Sequence, residues 1–91
     1  MTYLYLMENK KELTYQIIQQ HVQYLRVLDE KGVLILCGPF QDFPGGVVIF
    51  RADNQIEAVK IAENDPFILS GCKTYKLHCL EIANAENGYL L

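Results

Sequence analysis

The stretch GVLILCGPFQDFPGGVVIF, residues 32–50, decides the fold. It contains two apolar runs, Val33–Leu36 and Val47–Phe50, and short apolar runs bounded by turn residues are typical of strands buried on both faces. Gly38-Pro39 ends the first run, and the connecting residues 40–46 are rich in glycine, proline and aspartate. The stretch therefore predicts two adjacent strands joined as a hairpin.

The residues before this hairpin predict a strand and then a helix. Thr2–Met7 alternates leucines with the larger side chains of Tyr3, Tyr5 and Met7, which is typical of a strand. From about Leu13 to Lys31, apolar residues recur at intervals that only a helix brings to one side: Leu13, Ile17, Ile18, Val22, Leu25 and Leu28. Gly32 is then expected to end the helix.

The residues after the hairpin repeat this order of helix and strand. Asn54 followed by Glu57 is similar to a capping box, and the apolar spacing behind it predicts a helix ending near Asn64. Asp65-Pro66 predicts a separate short turn of helix through residue 69, with the aspartate as its cap. A last strand is expected over residues 74–82. We expect one face to carry Tyr75, Leu77 and Cys79, the other to carry Thr74, Lys76 and His78, and a bulge at Leu80 and Ile82.

The element order is therefore βαββαβ. This order predicts an α+β, ferredoxin-like fold, in which a four-stranded antiparallel sheet carries two helices on one face. Without repeats or linkers, residues 1–91 are expected to form a single domain. No predicted element covers the other face of the sheet, although the first three strands carry apolar side chains on both of their faces. We expect a homodimer in which the sheet faces pack together as a dimeric α/β barrel.

The composition excludes several classes of protein. Hydrophobic residues make up 51% of the chain and charged residues 21%, which excludes a disordered segment. Eight basic and eleven acidic residues give a net charge of −3 with no basic cluster, so no nucleic-acid partner is expected. The longest apolar stretch, Val33–Cys37, is far shorter than the roughly 20 residues of a membrane span. We expect a cytoplasmic protein without a membrane partner.

The cysteines predict neither a disulfide framework nor a metal site. Cys37, Cys72 and Cys79 are odd in number and form no C-x-x-C pair, so Cys37 and Cys79 are expected to be reduced thiols in the core. No phosphate-binding loop, dinucleotide fingerprint or catalytic triad is recognisable. The sequence therefore predicts no metal and no cofactor.

Two polar residues are candidates for chemistry. His21 has Ile17 and Leu25 four residues to either side, so its imidazole borders the core-facing side of the first helix. A structural histidine is the commoner explanation of that pattern, and the expected outward position of His78 predicts a solvated or interface residue. Asp65 is explained as a helix cap, but chain reversal also brings it towards the sheet end that holds Gly38-Pro39. A cleft is expected there.

The chain resembles the YciI-like family over most of its length. The resemblance lies in HVQYL (21–25), GVLILCGPF (32–40), Gly45-Gly46 before VVIF, EAVKIAENDPF (57–67) and the following SG (70–71). It implies a dimeric ferredoxin-like fold with an active site centred on a histidine and an aspartate, here His21 and Asp65. Some relatives act as lyases or dehalogenases on hydroxylated aromatic rings. The short loop over residues 40–46 and the tail ANAENGYLL (83–91) depart from the family pattern, so a relative's substrate does not carry over.

Contact between His21 and Asp65 would give general acid/base chemistry. The carboxylate would fix one imidazole tautomer, and the other nitrogen would move a proton on a small organic molecule. We therefore expect a cofactor-independent enzyme of the lyase, dehalogenase or isomerase type. Two alternatives stay open: a small-molecule binding or sensor module without turnover, and a pair that is purely structural.

Five further residues are candidates for substrate binding. Gly38 and Pro39 are expected at the cleft floor, and Tyr24 and Phe67 at its walls, although both aromatic residues are also explained as core. Ser70, or a loop amide, is a candidate to bind a developing oxyanion.

Overall fold

The computed structural model describes residues 1–91 as one four-stranded sheet with helices. The elements are β1 (Thr2–Asn9), α1 (Tyr15–Glu30), β2 (Leu34–Pro39), β3 (Gly45–Arg51), α2 (Gln55–Glu63), α3 (Pro66–Leu69) and β4 (Lys73–Leu80), followed by a 3₁₀ turn at Gly88–Leu90. The strand order is β2-β3-β1-β4, and every neighbouring pair is antiparallel. The predicted ferredoxin-like fold is confirmed.

The register of β1 separates the two faces of the sheet. Tyr5 pairs with Val48 of β3 and with Leu77 of β4, so these three side chains point to the same face. That face carries the core, in which side chains of the sheet pack on Ala58, Ala62 and Phe67 from the two later helices. Large aromatic rings fill the sheet side, and the fully buried residues of α2 are the small Ala58 and Ala62, with Ile61 packed beside them.

Side-chain caps set the helix starts. The Ile17 amide donates to Thr14 Oγ1 at 3.2 Å, so α1 begins at Tyr15. The Glu57 amide donates to Asn54 Oδ1 at 2.9 Å, which confirms the predicted cap of α2.

Two strand predictions are wrong. β2 is not buried on both faces, because it lies at the sheet edge and its Leu36 side chain is 62% exposed. β4 has no bulge at its end, since Leu80 pairs regularly with Thr2 as the last strand residue. The irregularity lies in β2 instead, between Leu34 and Leu36.

One cysteine prediction is also wrong. Cys37 is half-buried against the core, and burial raises the pKa of its thiol. Cys79 is exposed, since it lies near the end of β4, which is the other edge strand.

The second sheet face is open in the single chain. Its apolar residues come from all four strands: Leu4, Leu6, Leu36, Val47, Ile49 and Leu80. Lys76 and His78 lie on the same face, as predicted for β4. None of the helices combines the length and the hydrophobicity of a membrane span. The expected cytoplasmic location stays a prediction.

Candidate active site

A pocket of about 450 Å³ opens at the end of the sheet where β1 and β2 finish and β3 and β4 begin. One wall is the apolar side of α1, and the others come from the strand ends and from α3. Most of its lining is apolar, including Leu13, Val22 and Leu25. The charged or basic side chains in the lining are those of His21 and Lys73, so the pocket combines a mostly apolar surface with two polar groups.

His21 and Asp65 form a hydrogen-bonded pair in this pocket. His21 Nδ1 lies 2.8 Å from Asp65 Oδ1, with the imidazole 12% exposed and the carboxylate fully buried. An ionised carboxylate only accepts hydrogen bonds, so Nδ1 carries the proton and donates it. The other nitrogen, Nε2, has no partner within the protein. The ring stacks on Phe67, with centroids 3.9 Å apart and planes 19° from parallel, so its orientation is fixed on two sides.

Two further donors hold the Asp65 carboxylate. The Phe67 amide donates to Oδ1 at 2.9 Å, because Asp65 is the N-cap of α3 as the sequence predicts. The Tyr5 hydroxyl donates to Oδ2 at 2.7 Å. Burial raises the pKa of Tyr5 well above its ordinary value, and the adjacent Asp65 charge raises it further, so this hydroxyl stays a donor. Three donors thus compensate a buried charge that would otherwise be costly.

Three of the five predicted substrate-binding residues line the pocket with His21. Gly38 and Pro39 form part of the surface contributed by β2, and Phe67 forms the part contributed by α3. Their contact with a substrate stays a prediction, but their positions suit it.

Tyr24 and Ser70 lie outside the pocket lining. The Tyr24 hydroxyl donates to the Ile61 carbonyl at 2.8 Å and so links α1 to α2. Burial, with a smaller effect of the Asp65 charge, raises the pKa of Tyr24 to about 12. Ser70 Oγ bonds to the backbone around α3, where it donates to the Phe67 carbonyl at 3.3 Å. Both side chains are engaged in local structure, and their assigned role in substrate binding stays a prediction.

Sequence reasoning missed two residues of the site, Tyr5 and Lys73. The signal for Tyr5 was the alternation of β1, which places it on the helix-covered face. The signal for Lys73 was the alternation of β4. Lys73 lies two residues before Tyr75 and so points to the same face, but β4 begins one residue earlier than predicted. Lys73 is only 6% exposed, and its Nζ lies 4.2 Å from the centroid of the Phe67 ring. Burial lowers the pKa of its ammonium group, although the Asp65 charge opposes this.

The model of the YCII-related domain matches residues 1–78, and therefore most of the chain. The chain belongs to the YCII-related domain family. This confirms the resemblance found in the sequence motifs, and His21, Asp65 and Lys73 all fall within the matched region. A search of curated proteins finds no match.

Solved structures share the fold of this YCII-related chain. One is a 5-chloro-2-hydroxyhydroquinone dehydrochlorinase from Burkholderia phenoliruptrix AC1100, in complex with 2,5-dihydroxybenzoquinone. It is 22% identical, with a TM-score of 0.71 over 89% of this chain and 94% of that one. A muconolactone isomerase is 11% identical, with a TM-score of 0.74 over 93% of each chain. At such identities the likeness shows the fold.

Proposed function

We propose that this YCII-related protein is an enzyme that moves protons on a small organic molecule, with His21 as general acid/base and Asp65 as the residue that orients it. One observation carries the proposal. The 2.8 Å hydrogen bond from Nδ1 to a buried carboxylate fixes the tautomer and leaves Nε2 as the imidazole nitrogen without a partner, in a side chain that lines the pocket. This is the arrangement that a general base needs.

The proposed reaction begins with proton transfer to Nε2. Neutral His21 takes a proton from a C–H or O–H bond of the substrate, and the Asp65 carboxylate stabilises the imidazolium that forms. The imidazolium then returns the proton to another substrate atom, which completes an isomerisation, or gives it to a leaving group, which completes an elimination. Neither route needs an external oxidant or reductant, so the chemistry is that of a cofactor-independent lyase, dehalogenase or isomerase.

The comparisons and the pocket support the same reaction class. The two solved structures are named for loss of hydrogen chloride and for isomerisation, and one holds a hydroxylated quinone. The mostly apolar lining of the pocket lowers the local dielectric, which strengthens the interaction between imidazolium and carboxylate. We therefore place small hydroxylated ring compounds first among candidate substrates.

Proton exchange tests the proposal even while the product is unidentified. Hydroxylated aromatic compounds, quinones and lactones are incubated with the protein in D₂O, and NMR follows deuterium entry into the C–H positions. We expect exchange or turnover with at least one compound. The variants His21→Gln and Asp65→Asn should each lower its rate by about 100-fold or more, since general acid/base groups contribute factors of that order. His78→Gln and Asp53→Asn are the matched controls and should retain the rate.

The same experiment separates the enzyme from its rivals. A compound that binds the wild type without exchange or turnover would favour the binding or sensor module. Retention of the full rate in His21→Gln would contradict the dyad. Thermal unfolding of each variant checks that a lower exchange rate is not caused by unfolding. The long-range ¹H–¹⁵N spectrum of His21 reports the tautomer directly. We expect a protonated Nδ1 in the wild type.

We further propose that a second copy of the chain covers the open sheet face. Leu6 and Leu80 on this face are each 38% exposed and Leu36 is 62% exposed, a continuous apolar surface that single soluble chains rarely present. The surface extends across all four strands. A symmetric homodimer with the two sheets face to face would bury it on both copies at once.

A further inference from the structure

Lys73 places a cation on the pocket wall without a partner in the chain. The residue is only 6% exposed, yet its ammonium group makes no ion pair and donates no hydrogen bond within the chain. Asp65 is a nearby carboxylate, but both of its oxygens already accept hydrogen bonds, from His21 and Phe67 on one and from Tyr5 on the other. A charge that is largely removed from water in this way is costly unless something compensates it.

The surroundings of Lys73 compensate its charge only in part. Its cross-strand neighbour Asn9 has an Oδ1 that is buried and itself without a hydrogen-bond partner, so the two polar groups do not satisfy each other. The ammonium group instead contacts the face of the Phe67 ring, 4.2 Å away. Such a cation–π contact compensates only part of the cost of burial.

The ammonium group lies on the wall of the same pocket as the imidazole. His21 and Lys73 both pack against the Phe67 ring, at 3.9 Å between ring centroids and 4.2 Å from Nζ to centroid. Nζ therefore lies no more than about 8 Å from the imidazole centre, since it cannot be farther than the sum of those two distances. Because both side chains line this one pocket, a small molecule bound in it can contact both groups.

We infer that Lys73 binds an anionic oxygen of the substrate, so that the pocket takes a small molecule with a carboxylate or enolate oxygen near the site of proton transfer. The inference rests on the proposed function and narrows its substrate class. The apolar lining gives the pocket a low local dielectric, which strengthens the attraction between the ammonium and the anion. The bound anion supplies the partner that the chain does not provide.

Matched pairs of probes test the charge preference. Calorimetry compares benzoate with benzamide, and 2,5-dihydroxybenzoquinone, a vinylogous acid ionised at neutral pH, with its neutral dimethyl ether. We expect the wild type to bind the anionic member of at least one pair more tightly. Lys73→Met keeps the length of the side chain without its charge and should weaken that binding by about 10- to 100-fold, the range for hydrogen bonds to charged groups. Lys31→Met, at the exposed end of α1, is the control and should leave it unchanged.

Stability provides a second measurement. Because the ammonium group is largely removed from water without a partner in the chain, Lys73→Met should unfold at a temperature equal to or above that of the wild type. A variant that binds less and unfolds no earlier has lost a binding group and not its fold. A clear fall in its unfolding temperature would show that Lys73 serves the fold and would overturn the inference.

The binding results separate this inference from the proposed function. If the wild type shows no preference for either anion, or if Lys73→Met keeps that preference, the anion site is contradicted, whatever the exchange experiment gives. If the preference depends on Lys73 but no compound exchanges protons, the enzyme is contradicted and the anion site stands. A preference for benzoate alone identifies a carboxylate as the anion, and one for the hydroxyquinone alone identifies an enolate.

Discussion

The Asp65 carboxylate has two roles that sequence reasoning treated as alternatives. Its Oδ1 caps the short helix α3 through the Phe67 amide and also accepts the proton of His21 Nδ1. The cap fixes the carboxylate to the backbone, so the imidazole is oriented by a group that cannot turn away. Asparagine retains an oxygen for the cap but lacks the negative charge. The Asp65→Asn variant therefore tests the chemistry of the residue with the least effect on the local fold.

Tyr24 should make the stability of the fold dependent on alkaline pH. Its pKa is raised from the ordinary 10.0 to about 12, so between these values the unfolded chain releases its proton first and the folded state loses stability. The contribution of Tyr24 is thus complete below pH 10 and lost as the pH rises through about 12. We expect Tyr24→Phe to cost about 1 kcal/mol at pH 8, through loss of the hydrogen bond to Ile61, and the difference from wild type to shrink towards pH 12.

Urea unfolding of both proteins across this range gives the free energies. The comparison cancels every other group that titrates there. Tyr15→Phe, which alters an exposed tyrosine, should show no such trend. A difference between Tyr24→Phe and wild type that stays constant from pH 8 to 12 would contradict the assignment.

At the scale of elements, the start of β3 depends on a close approach between backbones. A Cβ on Gly45 would collide with the Met7 carbonyl oxygen of the neighbouring strand β1, whereas a Cβ on Gly38 would meet no atom within 4 Å. We expect Gly45→Ala to lower the free energy of unfolding by about 1–3 kcal/mol, the usual cost of overpacking. Gly38→Ala should change it by less than about 0.5 kcal/mol. Chemical denaturation of the pair measures both, and equal effects would show that this close approach is unimportant.

The helices and strands were largely predictable because their signals are local. The spacing of apolar residues, the Asn54 and Asp65 caps and the glycine-rich hairpin each specify a neighbouring stretch of chain, and together they gave the correct order. The burial of β2 was not predictable in the same way. Its apolar run is continuous, but its exposure depends on its place at the sheet edge, which is a property of the whole sheet.

The site was predictable only where a motif or a cap marked it. His21 and Asp65 were candidates because one borders an apolar helix face and the other caps a helix, and the family resemblance joined them as a pair. Gly38, Pro39 and Phe67 followed from their neighbourhood in the chain. Tyr5 is 60 residues from Asp65 in sequence, and no local pattern joins them. Lys73 was missed because lysine is normally a surface residue, and only the register of β4 shows that it points inwards.

The whole molecule has one covered and one uncovered sheet face. The helices cover the face of Tyr5 and Val48, which are fully buried, while the leucines of the opposite face remain in contact with solvent. A stable interface typically takes about 800 Å² from each partner, which is the scale of one face of a small sheet. The proposed dimer would bury the apolar surface that so short a chain, with 51% hydrophobic residues, leaves open on this face.

Leu6→Glu should convert the dimer into folded monomers. The residue lies on the open face of the central strand β1, where a second copy would bury the new charge. Within one chain, however, its cross-strand neighbour is Lys76, so the glutamate gains an opposite charge and the monomer fold should persist. Light scattering at low micromolar concentration should give twice the 10.5 kDa chain mass for the wild type and the single mass for the variant. Ile56→Glu, an equally drastic change at an exposed site on α2, should remain dimeric. A wild type of single mass, or a Leu6→Glu protein of double mass, would show that the open face is not the interface.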